Sequence, residues 1–242
     1  MKEDKTVVIT GGDKGIGKAI VERMASLYKY VVFTYNTNEV GANEITSSLP
    51  NTYAFQCNLQ DKEQINRTVN TILEQFSKVD ILVNNAGYDN DAVFTKMRGE
   101  QWDTVIDINL RSIFYFTQCF VEKMIENQWG RIIYLTSIAG FTGAFGKSNY
   151  AAAKAGVVGF TKSLALELGG KGITVNAIAP GAIKTDMLMR IPDKYLDVIL
   201  GNIPSRRFGE PEEVADLAEF LVSNKANYIN GQTIHINGGS YS

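Results

Sequence analysis

Thr6-Val7-Val8-Ile9-Thr10-Gly11-Gly12-Asp13-Lys14-Gly15-Ile16-Gly17 joins a β-branched apolar run to a glycine-rich turn. The run predicts a buried strand over Thr6–Thr10. Apolar residues at Ile16, Ile20, Met24 and Leu27 have helical spacing and predict a helix over Ile16–Leu27. Glycines between a strand and a helix let the backbone approach an anion, and the helix aims its first N–H groups at it. The spacing departs from the common Gly-x-Gly-x-x-Gly. Its place between strand and helix still makes Gly11, Gly12, Asp13, Lys14, Gly15, Ile16 and Gly17 a candidate pyrophosphate loop.

Outward from this loop the same alternation repeats. Strands are predicted over Val31–Tyr35, Thr52–Cys57, Asp80–Val83, Arg131–Thr136, Ile173–Ala177 and Thr233–Ile236. Helices are predicted over Ala42–Leu49, Lys62–Phe76, Glu100–Asn127, Tyr150–Leu168 and Pro211–Val222. Continuous apolar strands separated by helices imply a parallel sheet covered on both faces. The expected fold class is α/β: a single-domain Rossmann fold over residues 1–242, doubly wound, with helices on both faces. The least regular segment, roughly 184–207, carries Pro192 and Pro204 and is expected to form a substrate lid at the carboxyl ends of the strands.

Composition narrows the function classes. The 242 residues carry 24 Lys plus Arg against 26 Asp plus Glu, a formal net charge of −2, so no basic face for nucleic acid is expected. The N-terminus has no apolar leader, and no apolar stretch reaches the roughly 20 residues needed to cross a bilayer. A cytoplasmic protein with no membrane partner is expected. Cys57 and Cys119 are far apart and read as core thiols, and the single histidine, His235, lies in a strand-like run. No metal site is expected.

The nucleotide can be read further. The second strand ends Thr34-Tyr35-Asn36-Thr37-Asn38, with no acid for ribose hydroxyls until Glu39. Lys14 adds a cation within reach of a 2′-phosphate. Together these favour NADP(H) over NAD, although Lys14 also reads as a solvated loop residue.

Tyr150-Ala151-Ala152-Ala153-Lys154 puts a phenol and an ammonium on one helical face. A free phenol, with a pKa of about 10, is a poor acid–base at neutral pH. A nearby ammonium and an oxidised nicotinamide are expected to lower that pKa, so that the pair serves proton transfer to a carbonyl oxygen. Ser137 follows the fifth strand and is placed to hold that oxygen. Asn109 is a polar residue inside an apolar helix, where a buried hydrogen bond or a proton relay would explain it. Asn84-Asn85-Ala86-Gly87 follows the fourth strand, at the strand ends where a dinucleotide lies.

In this order, Thr10-Gly11, Gly15-Ile16-Gly17, Asn84-Asn85-Ala86-Gly87, Asn109, Ser137, Tyr150, Lys154 and Pro180-Gly181 resemble the short-chain dehydrogenase/reductase family along nearly the whole chain. Ser148–Gly156, Gly172–Asn176, Pro180–Met187 and Ile229–Gly239 are similar to its bacterial 3-oxoacyl-(acyl-carrier-protein) reductase branch. The resemblance implies a catalytic set of Ser137, Tyr150, Lys154 and Asn109, with Asn109 placing a water and Lys154 binding the nicotinamide ribose. It implies NADP(H) contacts at Gly11 to Gly17, Asn36, Asn58, Leu59, Asn85, Ala86, Gly87, Tyr150, Lys154, Pro180, Gly181, Ile183 and Thr185. It also implies a homotetramer, with which the apolar Ile113–Val121 run is compatible.

The substrate stays open. An acyl thioester on acyl carrier protein leads. Acetoacetyl-CoA, another small ketone or alcohol, and a catalytically silent NADP-binding sensor or scaffold are the alternatives. The branch docks its acidic carrier on two basic positions near the site entrance. One corresponds to Lys171, and the other to the neutral Gln128. Arg206 and Arg207 read either as phosphate-binding or as solvated. The Met187-Leu188-Met189 run reads either as an acyl channel or as interface.

Overall fold

The computed structural model describes residues 2–241. Its strands are β1 (Glu3–Thr10), β2 (Tyr28–Tyr35), β3 (Thr52–Gln56), β4 (Ile81–Asn84), β5 (Gly130–Leu135), β6 (Ile173–Pro180) and β7 (Thr233–Ile236). They form one seven-stranded sheet in the order β3-β2-β1-β4-β5-β6-β7, every pair parallel. The chain is a doubly wound Rossmann-type α/β fold, as the alternation implied.

Alternation along each strand divides the core. Val7 and Ile9 of β1 face one layer with Ile20 and Met24 of α1 (Gly15–Leu27), Ile45 of α2 (Glu39–Ser48) and Val214 and Leu221 of the last long helix. Val8 faces the opposite layer with Ile65 and Ile72 of α3 (Lys62–Phe76). Each such side chain, fully buried, stabilises by about 1.5–3 kcal/mol, so a register slip by one residue would be prohibitive.

The predicted helix Glu100–Asn127 is broken. It consists of α4 (Gly99–Ile106), one π-helical turn (Asp107–Arg111) and α5 (Ser112–Glu126). A π turn holds an extra residue and re-aims its side chains; here the re-aimed residue is Asn109. A short helix absent from the sequence reading, α6 (Ala139–Thr142), precedes α7 (Ser148–Leu168). Segment 184–207 contains α8 (Asp186–Met189) and α9 (Asp193–Gly201), and α10 (Pro211–Val222) follows.

The chain winds from β1 to β3 on one side and returns through α3 to β4 on the other side of β1. Thr10 at the end of β1 pairs with Asn84 at the end of β4. A crevice between carboxyl ends at such a reversal is where open α/β sheets bind ligands.

Candidate active site

The glycine loop is held from below by β4. The Thr10 hydroxyl accepts from the Asn85 and Ala86 N–H groups, each at 3.1 Å. The Asn85 amide donates to Thr10 O at 3.0 Å and Gly11 O at 2.8 Å. Gly11 turns at φ 64°, and a Cβ there would lie 3.0 Å from Ala86 Cα. Gly12 serves packing: its Cβ would lie 2.6 Å from Phe33 Cβ. Asp13 is buried, and its carboxylate accepts from the Asn38 amide at 3.1 Å, so its side chain faces α2. Lys14 is exposed at the N-cap of α1. Asn38 caps α2 and Asp61 caps α3, whereas α1 has no side-chain cap and no acid in its first turn. Its first N–H groups therefore suit an anion from outside the chain.

Asn36 is exposed just past β2. Asn58 and Leu59 follow β3, where Asn58 Oδ1 accepts from Gln60 N at 3.1 Å. This turn takes one lone pair of Oδ1 and leaves the Asn58 side chain its second lone pair and its N–H donors.

Ser137 lies just past β5, its Oγ accepting from Ala139 N at 3.2 Å and facing the Tyr150 phenol. Lys154, in the second turn of α7, is 2% exposed, and its Nζ donates to Leu135 O at 2.7 Å. The Thr136 hydroxyl donates to Lys154 O at 2.7 Å and fixes this turn of α7 to the end of β5. Asn109 is fully buried. Its amide donates to Tyr88 O at 2.7 Å and Val105 O at 2.9 Å, and its Oδ1 accepts from Tyr88 N at 3.3 Å. Gly87 joins these groups, since a Cβ on it would lie 3.1 Å from Asn109 Oδ1 and 3.6 Å from Lys154 Nζ. The fold thus brings Ser137, Tyr150, Lys154 and Asn109 to one mouth, beside Asn85, Ala86 and Gly87.

The electrostatics correct one expectation. Burial pushes the Tyr150 phenol up to about 12. The Ser137 hydroxyl and the Lys147 charge pull against this, while Asp89 and Asp91 add to it. Lys154 does not depress the phenol in this structure; burial brings Lys154 itself down to about 8. Desolvation of the half-buried phenol and the buried ammonium outweighs the pairing that the four-residue spacing suggested.

The wall opposite comes from the segment after β6. Ile183 is buried and bridges to Gly209, and Thr185 Cγ2 would touch a Cβ on Gly15 at 3.2 Å. Pro180 and Gly181 end β6, and Gly181 is pressed against Asn237, whose Cβ would lie 2.8 Å from a Cβ there. Leu188 is buried, whereas Met187 and Met189 are exposed beside it.

Residues 11–241 match a family model described as enoyl-(acyl carrier protein) reductase. The chain belongs to the short-chain dehydrogenase/reductase family. It is 42% identical over 238 residues to a protein of Buchnera aphidicola subsp. Baizongia pistaciae, covering 98% of this chain and 97% of that one. It is 42% identical over 240 residues to one of Haemophilus influenzae, covering 99% of each. It is 40% identical over 245 residues to one of Staphylococcus aureus, covering all of both. Each of these relatives is named 3-oxoacyl-[acyl-carrier-protein] reductase FabG.

As a member of this family the chain takes a nicotinamide cofactor, and its residues fit one. The uncapped start of α1 suits a pyrophosphate. Gly87 leaves open the space beside Lys154 Nζ that any larger residue would narrow.

Other expected positions lie elsewhere. Gln128 and Lys171 sit where β5 and β6 begin, at the opposite ends of those strands from Ser137 and Gly181. They do not border this chain's own site mouth, correcting the placement at an entrance. Arg207 forms a two-pronged pair with Glu213 at 2.7 and 2.6 Å, and Arg206 donates to Gly201 O at 2.7 Å. Both guanidinium groups have partners within the chain. His235 packs in a three-ring cluster with Phe141 and Tyr241, 4.6 and 5.0 Å away.

Three contributors escaped the sequence reading. Asn149 is fully buried; its Oδ1 accepts from Tyr150 N at 2.8 Å, and its amide donates to Asn90 O and Gln101 O, each at 3.1 Å. Its signal was an amide inside an alanine-rich helix. The bond of Asn38 to Asp13 and that of Lys147 to Asp89 follow no local pattern, because these partners lie 25 and 58 residues away.

Proposed function

We propose that this protein reduces 3-oxoacyl thioesters on acyl carrier protein to 3-hydroxyacyl thioesters in fatty acid synthesis, with NADPH as reductant. The observation that carries this is the pair of hydroxyls, Ser137 and Tyr150, facing one another at the end of β5 above a buried lysine. Two hydroxyls converging on one point suit a carbonyl oxygen: Ser137 orients it and Tyr150 gives it a proton. A phenol at about 12 is fully protonated at neutral pH, the form an acid needs. When bound, NADPH would supply hydride to the carbonyl carbon.

Each part of the chain has a role in this reading. Asp13, Gly15, Ile16 and Gly17 hold the pyrophosphate through backbone N–H groups, Gly11 and Gly12 shape the turn with their own N–H groups bound to Thr34, and Lys14 meets the 2′-phosphate. Asn36, Asn58 and Leu59 border the adenosine. Asn85, Ala86, Gly87, Pro180, Gly181, Ile183 and Thr185 border the nicotinamide half. Lys154 binds the ribose and restores the proton of Tyr150. Asn109 positions a water for that return, its side-chain amide already fixed by Tyr88 and Val105. Segment 184–207 acts as lid, anchored where Lys184 N donates to Gly209 O at 2.9 Å. The protein works in the cytoplasm as a homotetramer in this reading, and exposed Phe114 on α5 and Leu166 on α7 offer apolar surface for self-association. Among the described residues no helix is long and apolar enough to cross a membrane.

One observation favours a second reading with CoA as the carrier: Gln128 is neutral where the branch places a cation. Turnover of NADPH and of NADH should be measured on acetoacetyl-carrier protein, acetoacetyl-CoA and a crotonyl thioester side by side. Preference for NADPH with the acetoacetyl carrier is expected. Preference for acetoacetyl-CoA would select the second reading. Reduction of the crotonyl double bond alone would overturn both.

A further inference from the structure

Lys147 lies one turn before Tyr150 and belongs to no motif. Its Nζ is 2.9 Å from Asp89 Oδ2 and 2.7 Å from Asp91 Oδ2, on the loop that leaves β4. The same Nζ is 5.6 Å from the Tyr150 ring centroid, as far as Lys154 Nζ is from it. The neighbouring backbone is bound to the same loop: Ala92 N donates to Gly146 O at 2.9 Å, and Asn149 reaches Asn90 O. Gln101 of α4 completes the attachment through Asn90 Oδ1 at 2.8 Å.

We propose that Lys147, Asp89 and Asp91 form a positioning device for the proton donor, clamping the β4 loop to the start of α7 and setting the charge beside the phenol. This rests on Tyr150 being the acid of the proposed reaction. The charges facing its ring are Lys147 and Lys154 from α7 and Asp89 and Asp91 from the β4 loop, while β5 presents the neutral Ser137. Burial works against the Lys147 charge, but its two carboxylates outweigh that and hold it protonated above the ordinary lysine range. Lys147 favours phenolate and the two carboxylates favour phenol, so the cluster is a balance with opposed arms.

That opposition supplies the test. Oxidation of a 3-hydroxyacyl thioester by NADP⁺ moves the carbinol hydride to the nicotinamide and the hydroxyl proton to the Tyr150 phenolate. Below the phenol's pKa its rate therefore follows the phenolate fraction. The rate–pH profile should be recorded from pH 6 to 9.5 for wild type, Lys147→Met, Lys147→Arg and Asp89→Asn. We expect Lys147→Met to move the rising limb up by about half a unit to one unit, a roughly three- to tenfold loss at fixed pH. Asp89→Asn should move it down by a similar amount, and Lys147→Arg should restore the wild-type limb.

A purely structural role would slow both variants without opposed shifts. Superimposed profiles, or shifts of one sign, would overturn the proposal. The Ala92 amide reports the clamp without turnover: its hydrogen exchange should quicken in Lys147→Met, and unchanged exchange would also overturn it. Full activity in Tyr150→Phe would instead defeat the underlying reading.

Discussion

Replacing Lys154 with methionine removes a buried ammonium while nearly keeping its length. Burial takes this lysine from its ordinary 10.5 to about 8. At about 1.36 kcal/mol per pH unit, holding it charged costs the folded protein about 3 kcal/mol at neutral pH. At 2% exposure little solvent screening relieves that cost. Methionine in turn leaves Leu135 O, which accepts from Lys154 Nζ at 2.7 Å, without that donor, at a cost of about 1–2 kcal/mol. Lys154→Met without nucleotide should therefore be more stable than wild type by about 1–2 kcal/mol at pH 7, although inactive. The sign of the pH dependence follows. Between about 8 and 10.5 the unfolded chain keeps the proton that the folded protein has released. Wild type gains stability as pH rises through that window, and the variant's advantage disappears by its upper end. Urea unfolding of both proteins at pH 7, 8, 9 and 10 measures the difference, in which other titrations cancel. A difference that does not change with pH, or a variant less stable than wild type at pH 7, would refute the reasoning.

Other consequences are as direct. Gly87→Ala puts a methyl 3.1 Å from Asn109 Oδ1 and 3.6 Å from Lys154 Nζ; kcat/KM should fall about tenfold or more while the thermal midpoint stays within about 3 °C. Lys14→Ala should raise KM for NADPH about tenfold and leave that for NADH unchanged, as steady-state kinetics would record. Arg207 and its hydrogen bonds hold the Glu213 carboxyl down at about 2. Glu213→Gln should change global stability by less than about 1 kcal/mol, because the pair is exposed. Hydrogen exchange at the Lys184 amide, which is bonded to Gly209 at the base of the lid, should still quicken.

What was legible in the sequence followed from local chemistry. The run Thr6–Thr10, the glycines after it and the apolar spacing of α1 and α3 each specify their own element, and their alternation specifies a parallel sheet. The predicted β7 coincides with the observed Thr233–Ile236. Where the reading fell short, distant partners decided. Glu3 and Tyr28 extend β1 and β2 by pairing with one another, although their charged and polar flanks carry no strand pattern. The π turn in the long helix cannot be read from Asp107-Ile108-Asn109-Leu110-Arg111, because what holds Asn109 is Tyr88, 21 residues away. Tyr150 and Lys154 were found by spacing, and Ser137 by its place after β5. The state of the phenol depended on burial and on Lys147, Asp89 and Asp91, which no spacing announces.

The most direct test of the proposed chemistry is NADPH-dependent reduction of acetoacetyl-carrier protein by wild type and by Tyr150→Phe at neutral pH. The ring remains and only the proton donor is lost, so NADPH binding and the melting temperature should be unchanged. The rate should fall by at least about a hundredfold. Tyr150→Phe turning over at the wild-type rate would contradict the assignment of Tyr150 as the acid.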